Sequence, residues 1–280
     1  MAPSFTKSAG TTRSRSRWPH ACAASSPCRR RGELEATMSE IYLRNWRDFQ
    51  PKIAHLSAVH WGGLRDIDRD SDDERDRLQR LGGFARHALQ GRKTSDHHKH
   101  ENLEQVYYIL SGAGEALFDG ERYPVEAGDA IYLPSGVHHQ MFNQDSDEWL
   151  EHHVISQKVD GNGGTFRIRH WRQTAAVGDG AGAIHWRQLC REEEGGEGAS
   201  LRAMAFVDHE AVQPLNASAS RTEEELELVY YVLDGRGILE SGAGEEQAIT
   251  EGDMIHLPPG TTYRIRNDTE DWVTSLILAA

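Results

Sequence analysis

Short apolar runs separated by turn residues dominate the chain from residue 41 onward. The runs are rich in Val, Ile, Tyr and Leu, and Gly, Pro, Asn or Asp interrupts them. Clear examples are 105–110, 114–119, 130–133, 150–156, 228–233, 236–240, 254–257 and 273–279. Runs of this length, with turn signals every 8–12 residues or so, are typical of β-sandwiches and barrels. The pattern predicts an all-β fold.

The same pattern occurs twice. Residues 106–114 recur as 229–237 at an offset of 123, and 128–136 recur as 252–260 at an offset of 124. Upstream, Trp46 and Trp61 each recur 125 residues later, in matching local sequence. Because self-similarity at a fixed period marks a repeated structural unit, we predict two copies of about 120 residues each, an ordinary domain size. The copies span 38–158 and 159–280, and the recurring tryptophans are predicted to be structural.

Residues 1–37 differ from the rest of the chain. They are rich in Ser and Arg and show neither a strand period nor a helix period. They also lack the continuous apolar segment of a secretory signal, although their composition resembles an organellar transit peptide. We interpret them as a disordered extension, or as the result of a start codon placed upstream of Met38.

Composition narrows the classes of partner. The formal net charge of -13 argues against a nucleic-acid binder, since phosphate neutralisation needs a basic face. No apolar stretch is long enough to cross a membrane. The three cysteines make neither a disulfide scaffold nor a zinc motif. We therefore expect a cytoplasmic protein, monomeric or homo-oligomeric, that acts on a small molecule and binds neither nucleic acid nor membrane.

Histidines are concentrated in the first copy, which holds ten of the 14 in 38–280. His98 and His100 are two residues apart, so on a strand they would share one face. Gln105 on the next strand can face them, and His139 follows a Pro-x-Gly turn. Imidazole suits Fe, Mn, Co, Ni, Cu or Zn. The pattern predicts one divalent transition metal per chain, with its identity left open.

At this point the sequence resembles the cupin superfamily over essentially all of 38–280, as a bicupin. The family's second motif fits fully, and its first motif fits except that the first glycine lies one residue further from His98 and that Gln105 replaces the usual Glu. The matching residues are Gly91, His98, His100, Gln105, Gly112, Gly128, Pro134, Gly136, His139 and Asn143. The resemblance implies two tandem jelly-roll (double-stranded β-helix) barrels, with His98, His100, Gln105 and His139 as metal ligands. Glu104 is one residue out of register and would point to the opposite face.

The second copy has lost these ligands. At the positions of the four ligands it carries Arg221, Glu223, Leu228 and Tyr263. We therefore predict a degenerate second barrel without a metal, retained as a structural partner of the first.

Three further residues are predicted to serve the site. Tyr107 should share the face of Gln105, and we expect His152 to shuttle a proton because histidine ordinarily titrates near neutral pH. We assign both to catalysis, and Arg86 to binding of a substrate carboxylate.

Three functions remain open. The first is a metal-dependent enzyme with isomerase or lyase chemistry on a small carbonyl, carboxylate or sugar-acid substrate. The second is an Fe(II)-dependent dioxygenase, and the third is a non-enzymatic binding or storage bicupin. Substrate identity is not readable from the motifs.

Overall fold

The computed structural model describes residues 41–65 and 77–280, so the predicted extension at 1–37 lies outside the described residues. Within these ranges the chain forms strands and three short 3-10 helices (Trp46–Asp48, Trp171–Gln173 and Glu192–Glu194), with no α-helix. The first twelve strands are β1 (Tyr42–Asn45), β2 (Lys52–Ala54), β3 (Ala58–Gly62), β4 (Gly83–Leu89), β5 (Lys93–Thr94), β6 (Leu103–Ser111), β7 (Ala113–Phe118), β8 (Glu121–Glu126), β9 (Asp129–Leu133), β10 (His139–Asn143), β11 (Leu150–Lys158) and β12 (Arg167–His170). The remaining strands are β13 (Val177–Gly178), β14 (Ala183–Arg191), β15 (Ala199–Leu201), β16 (Phe206–Val212), β17 (Asn216–Ala217), β18 (Arg221–Thr222), β19 (Leu228–Asp234), β20 (Arg236–Ser241), β21 (Glu246–Thr250), β22 (Asp253–Leu257), β23 (Thr262–Asn267) and β24 (Val273–Ala279). The all-β prediction is confirmed.

The strands form four sheets, two for each barrel. The first barrel has a larger sheet of order β12-β9-β6-β11-β4-β3-β2 and a smaller one of order β5-β10-β7-β8. The second has a larger sheet of order β1-β22-β19-β24-β16-β14-β13, with β15 beside β14, and a smaller one of order β17-β23-β20-β21, with β18 beside β23. Each barrel encloses its own apolar core, and a third core joins residues of the two larger sheets.

The first strand of each sequence copy belongs to a sheet of the other barrel. Strand β1 pairs with β22, with Tyr42 opposite His256. In the same way β12 pairs with β9, with Arg167 opposite Tyr132. The repeat boundary at 158/159 therefore describes the sequence and does not separate the sheets, because residues 38–280 form one compact unit.

The recurring tryptophans hold this exchange in place. Trp46 packs edge-on against Trp61, and Trp171 packs against Trp186, each with ring centroids 5.1 Å apart. The backbone N–H of Trp46 donates to the Gly252 carbonyl at 3.1 Å. Gly252 has a φ of 89°, and a Cβ there would lie 2.7 Å from the Trp46 ring, so this turn requires glycine. The structural role predicted for the tryptophans is confirmed.

A buried carboxylate of the first copy, Glu104, makes hydrogen bonds to the backbone of the second copy. Glu104 is fully buried and accepts hydrogen bonds from the backbone N–H groups of Arg202, Ala203 and Met204 at 2.8, 2.9 and 2.7 Å. The Tyr132 hydroxyl donates to it at 3.1 Å. Glu104 thus points into the contact between the barrels, away from the face of Gln105, as its register predicted.

The second copy repeats this contact in the opposite direction. Glu227, 123 residues after Glu104, accepts from the backbone N–H groups of residues 79–81 at 2.5 to 2.8 Å. Burial alone would raise the pKa of Glu227, but hydrogen bonds from His256 and these N–H groups hold that pKa below its ordinary value. Glu104 and Glu227 therefore make equivalent hydrogen bonds on the two sides of the pseudo-symmetric contact between the barrels.

Candidate metal centre

The segment carrying His98 and His100 is an extended loop between β5 and β6, whereas we expected a strand. It is fixed at two points. The backbones of His98 and His139 exchange hydrogen bonds of 3.2 and 2.8 Å, and the His100 carbonyl accepts from Gly136 N–H at 2.7 Å. Gly136, in the Pro-x-Gly turn, has a φ of 85°. The turn that ends at β10 therefore aligns the two histidines of the loop with His139.

The three histidines converge. One ring nitrogen from each of His98, His100 and His139 lies within 4.8 Å of the others, and the ring centroids are 4.5 to 5.6 Å apart. Gln105 lines the same cavity as His98 and His100. Strand β6 supplies Gln105 and strand β10 supplies His139.

The free donor atoms of this cluster fit a metal ion. Nε2 of His98, Nε2 of His139 and Oε1 of Gln105 are buried and have no hydrogen-bond partner among the described residues. Nδ1 of His98 lies 3.2 Å from the Asp96 carbonyl, and Nδ1 of His139 lies 3.3 Å from the Val137 carbonyl. A carbonyl can only accept a hydrogen bond, so Nδ1 carries the proton in both rings and each Nε2 keeps its lone pair for a metal. Buried polar atoms left without partners are costly unless a ligand satisfies them.

Burial favours the neutral form of His100 and His139, the form that metal ligation requires. Burial and the neighbouring His98 lower the pKa of His139 to about 3. The same two causes lower the pKa of His100. These two rings therefore present lone pairs near neutral pH rather than positive charges.

The donor cluster opens into a cavity of about 440 Å³. Its polar lining includes His55, His60, Arg65, His87 and Tyr107. The remaining wall is largely apolar and comprises Phe84, Ala85, Leu103 and Val154. A small organic molecule fits a cavity of this size and mixed character.

Tyr107 and His152 occupy two successive layers of the barrel. Tyr107 lines the cavity with its ring centroid 6.0 Å from that of His139, and burial raises the pKa of its hydroxyl, which stays protonated. The His152 ring packs 5.1 Å from Tyr107 and 5.4 Å from His87, and it is not among the residues lining the cavity. Burial, followed by the charge of His55, lowers the pKa of His152 to about 3. Tyr107 is placed to touch a bound molecule, and His152 lies behind it.

The prediction for Arg86 is corrected by the structure. Its guanidinium points to the contact between barrels, where it donates to the Tyr231 hydroxyl and the Glu151 carboxylate, each at 2.5 Å. It also stacks over Trp46 at 4.2 Å. Successive residues of a strand face opposite sides, so the cavity side of β4 belongs to His87. Arg86 is a structural residue of the larger sheets.

Sequence reasoning missed the further polar residues that line the cavity beside the metal ligands. His55 sits in the turn between β2 and β3, at a φ of 47°, and its ring stacks on His98 at 5.1 Å. Its Nδ1 lies 2.8 Å from an Asp96 carboxylate oxygen. His60, Arg65 and His87 complete the set. The concentration of histidines in the first copy indicated a site rich in this residue. It did not show which of these histidines line the cavity, because that depends on the direction in which each side chain points.

The second barrel fills the corresponding positions differently. Arg221 pairs with the buried Glu210, and the Tyr263 hydroxyl bonds to that of Tyr230 at 3.0 Å. A cavity of about 420 Å³ remains beside them. Both groups of potential metal ligands found in the described part of the chain lie in the first barrel.

Comparison with known proteins agrees with this architecture. An uncharacterised protein of Methanocaldococcus jannaschii is 44% identical over 46 residues, which is 16% of this chain and 37% of that protein. An oxalate-binding protein of Thermotoga maritima is 38% identical over 60 residues, or 21% of this chain and 50% of that protein. The chain thus spans half or less of the length of these curated relatives.

Solved structures match over most of the chain. A Pseudomonas aeruginosa protein described as glyoxylate-induced aligns with a TM-score of 0.67 at 12% identity, covering 85% of this chain and 88% of that one. A nickel(II) complex of a bacterial pirin from Escherichia coli aligns at 0.65 with 18% identity, covering 86% and 98%. A variant oxalate decarboxylase from Bacillus subtilis aligns at 0.62 with 10% identity, covering 84% and 76%. At these identities the likeness concerns the fold.

No helix among residues 41–65 and 77–280 has the length and apolar character needed to span a membrane. The cupin-domain family model matches residues 86–153 and 196–279, one segment in each barrel. Together, the two matches and the jelly-roll sheets identify the chain as a member of the cupin superfamily with two cupin barrels.

Proposed function

We propose that the first barrel is a metal-dependent enzyme acting on a small anionic carbonyl or carboxylate compound, with isomerase or lyase chemistry. Its metal, one divalent transition ion per chain, would be held by His98, His100, Gln105 and His139. The observation that carries the proposal is the convergence, beside a cavity, of buried donor atoms that have no hydrogen-bond partner in the described part of the chain.

The charge of the cavity favours an anion. All four proposed ligands are neutral, so a bound divalent ion would keep its full charge. Arg65 also lines the cavity. A carboxylate or carbonyl oxygen is the natural partner of such a site, and a sugar acid or keto acid carries both.

Residues that line the cavity would orient the substrate and limit the access of water. When bound, the metal would act as a Lewis acid toward substrate oxygen atoms. Arg65 would orient a carboxylate, and the protonated Tyr107 hydroxyl would donate a hydrogen bond. The apolar wall formed by Phe84, Leu103 and Val154 would limit the access of water.

The names of similar proteins support a small carboxylate as the ligand class. The Thermotoga maritima relative is an oxalate-binding protein, and one structural neighbour is an oxalate decarboxylase. Another neighbour was solved with nickel(II). The neutral Gln105 in place of a carboxylate ligand is the reason to propose isomerase or lyase chemistry for this chain.

A test is an anaerobic screen of the purified, metal-analysed protein against small keto, hydroxy and sugar acids. We expect metal-dependent conversion of at least one acid without oxygen, followed by NMR of the reaction mixture. Turnover that requires Fe(II) and consumes oxygen would contradict the proposal in favour of a dioxygenase. A metal-free protein as purified, unable to take up added metal, would contradict every metal-dependent function.

Replacing Gln105 by Glu tests the charge argument. The Gln105→Glu protein should retain its metal, because a carboxylate oxygen can occupy the position of the amide oxygen. It should bind oxalate about tenfold or more weakly, since the added negative charge opposes an anion. Calorimetric titration of the nickel-loaded proteins measures this, with Gln144→Glu on the exposed surface as control. Loss of the metal from Gln105→Glu would instead contradict the assignment of Gln105 as a ligand.

A further inference from the structure

The polar side chains that line the metal-centre cavity, apart from the proposed ligands, already have partners within the protein. Nδ1 of His55 lies 2.8 Å from a carboxylate oxygen of Asp96, and Nδ1 of His60 lies 2.6 Å from Nε2 of His87. The Arg65 guanidinium donates to a backbone carbonyl at 3.0 Å. A substrate rich in hydroxyl groups would have to compete for these side chains, because each buried hydroxyl needs a hydrogen-bond partner of its own.

An apolar row crosses the larger sheet of the first barrel inside this cavity. Val154 in β11 is opposite Ala85 in β4 on one side and Tyr107 in β6 on the other. These three residues, which form the apolar row, all line the cavity. Leu103 and Phe84 add to the apolar lining. A hydrocarbon chain placed against the row is removed from water, which is favourable in proportion to the apolar area covered.

The second barrel carries a carboxylate in the corresponding row. Asp208, Ile277 and Tyr230, each 123 residues after its counterpart, are opposite one another in the same order. Arg187 holds Asp208, with its Nε and one Nη donating to the two carboxylate oxygens at 2.8 and 3.1 Å. The barrel therefore accommodates a charged residue at this position, and Ala85 is what keeps the row of the first barrel apolar.

The cavity of the first barrel is larger than the smallest acids require. Its volume is about 440 Å³. Because water takes up about 30 Å³ per molecule, the cavity has room for roughly 15 groups of that size. Gly83 lines it at the position where Phe206 lines the cavity of the second barrel, so no aromatic ring fills this part of the space. Oxalate or pyruvate would fill less than about half of the volume and leave water against apolar side chains.

We propose that the substrate of the first barrel is a 2-oxo acid with a hydrocarbon side chain of up to about eight carbon atoms, which rests on the function proposed above. The carboxylate and oxo oxygens would lie toward the ligand residues His98, His100 and Gln105. The side chain would lie against the apolar row. A sugar acid of the same length would place its hydroxyl groups against that row without partners.

A series of acids of increasing chain length tests this substrate class. The nickel-loaded full chain is titrated calorimetrically with pyruvate, 2-oxobutanoate, 2-oxopentanoate and 2-oxohexanoate. We expect the affinity to rise about threefold for each added methylene, or about thirtyfold over the series. The sugar acid 2-oxo-3-deoxygluconate has the carbon chain of 2-oxohexanoate with three hydroxyl groups added. It should bind at least about tenfold more weakly than 2-oxohexanoate.

Two variants test the apolar row itself. Val154→Thr replaces a methyl group of the row by a hydroxyl of similar size, and Ala85→Leu fills the space beside it. Each should lower the ratio of the 2-oxohexanoate affinity to the pyruvate affinity about threefold or more. Ile277→Thr, the matched change in the second barrel, should leave this ratio unchanged. Metal-loaded Val154→Thr and Ala85→Leu proteins that both keep the original ratio would overturn the role of the row.

The outcomes separate the substrate class from the proposed function. Nickel-loaded protein that binds pyruvate or 2-oxo-3-deoxygluconate as tightly as 2-oxohexanoate would overturn the hydrocarbon side chain and leave a metal-dependent function on small acids standing. This comparison uses the unchanged protein, so it decides the matter even if a variant fails to fold. A protein that takes up no metal, or a metal-loaded protein that binds none of these acids, would overturn the proposed function and the substrate class with it.

Discussion

Alanine at both His98 and His139 will leave the purified protein with less than roughly a tenth of a metal ion per chain, where the unchanged protein should hold about one. Both Nε2 atoms are buried without a partner among the described residues, so each lone pair is available only to a bound ion. Structural zinc sites bind with about 10–16 kcal/mol over four ligands, so two lost ligands should cost roughly 6 kcal/mol, or about four orders of magnitude in affinity. Elemental analysis by mass spectrometry of the dialysed protein measures the result.

The pseudo-symmetry of the chain provides a matched control. Arg221 and Tyr263 stand at the equivalent positions of the second barrel, so Arg221→Ala with Tyr263→Ala removes a half-buried and a buried side chain of similar placement. That double variant should keep its metal. Two ions per chain in the unchanged protein, or loss of metal from the control variant alone, would contradict a single site in the first barrel.

The periodic features of the sequence predicted the fold correctly. Alternation and turn spacing predicted strands, and the repeat predicted two barrels, because both depend on local residue types. The expectation that a strand carrying His139 follows the Pro-x-Gly turn agrees with the start of β10 at His139. The exchange of β1 and β12 between barrels has no local signal, because each strand would read the same in either sheet.

The predictions for individual site residues were wrong where a shift of one residue along a strand decides which side of the sheet a side chain occupies. Arg86 and His87 are neighbours on β4. The prediction assigned the cavity side of the strand to Arg86, whereas His87 is the residue that lines the cavity. Similarly, His55 reaches the site from a turn with a left-handed backbone at φ 47°, a conformation that no residue pattern indicates for His. Side-chain parity depends on the register between strands distant in the sequence, which one chain's periodicity does not specify.

The contact between the barrels is the feature on which the stability of the fold should depend most. Glu104→Ala removes a fully buried carboxylate that accepts three backbone N–H groups of residues 202–204 and the Tyr132 hydroxyl. Each buried donor left without a partner costs about 1–3 kcal/mol, and Glu104→Ala leaves four such donors. We therefore expect the free energy of unfolding to fall by about 4 kcal/mol and the melting temperature by about 10 °C.

Urea unfolding followed by tryptophan fluorescence measures this loss, because the recurring tryptophans lie at the same contact. The control is Glu101→Ala, three residues earlier, whose half-exposed side chain pairs with Lys99 at 2.5 Å. That change should stay within about 0.5 kcal/mol, since exposed ion pairs contribute little. Glu227→Ala should reproduce the large loss, because it removes the same kind of acceptor from residues 79–81. If Glu104→Ala cost no more than the Glu101 control, these carboxylates would not be what holds the two barrels together, and apolar packing of the larger sheets would have to suffice.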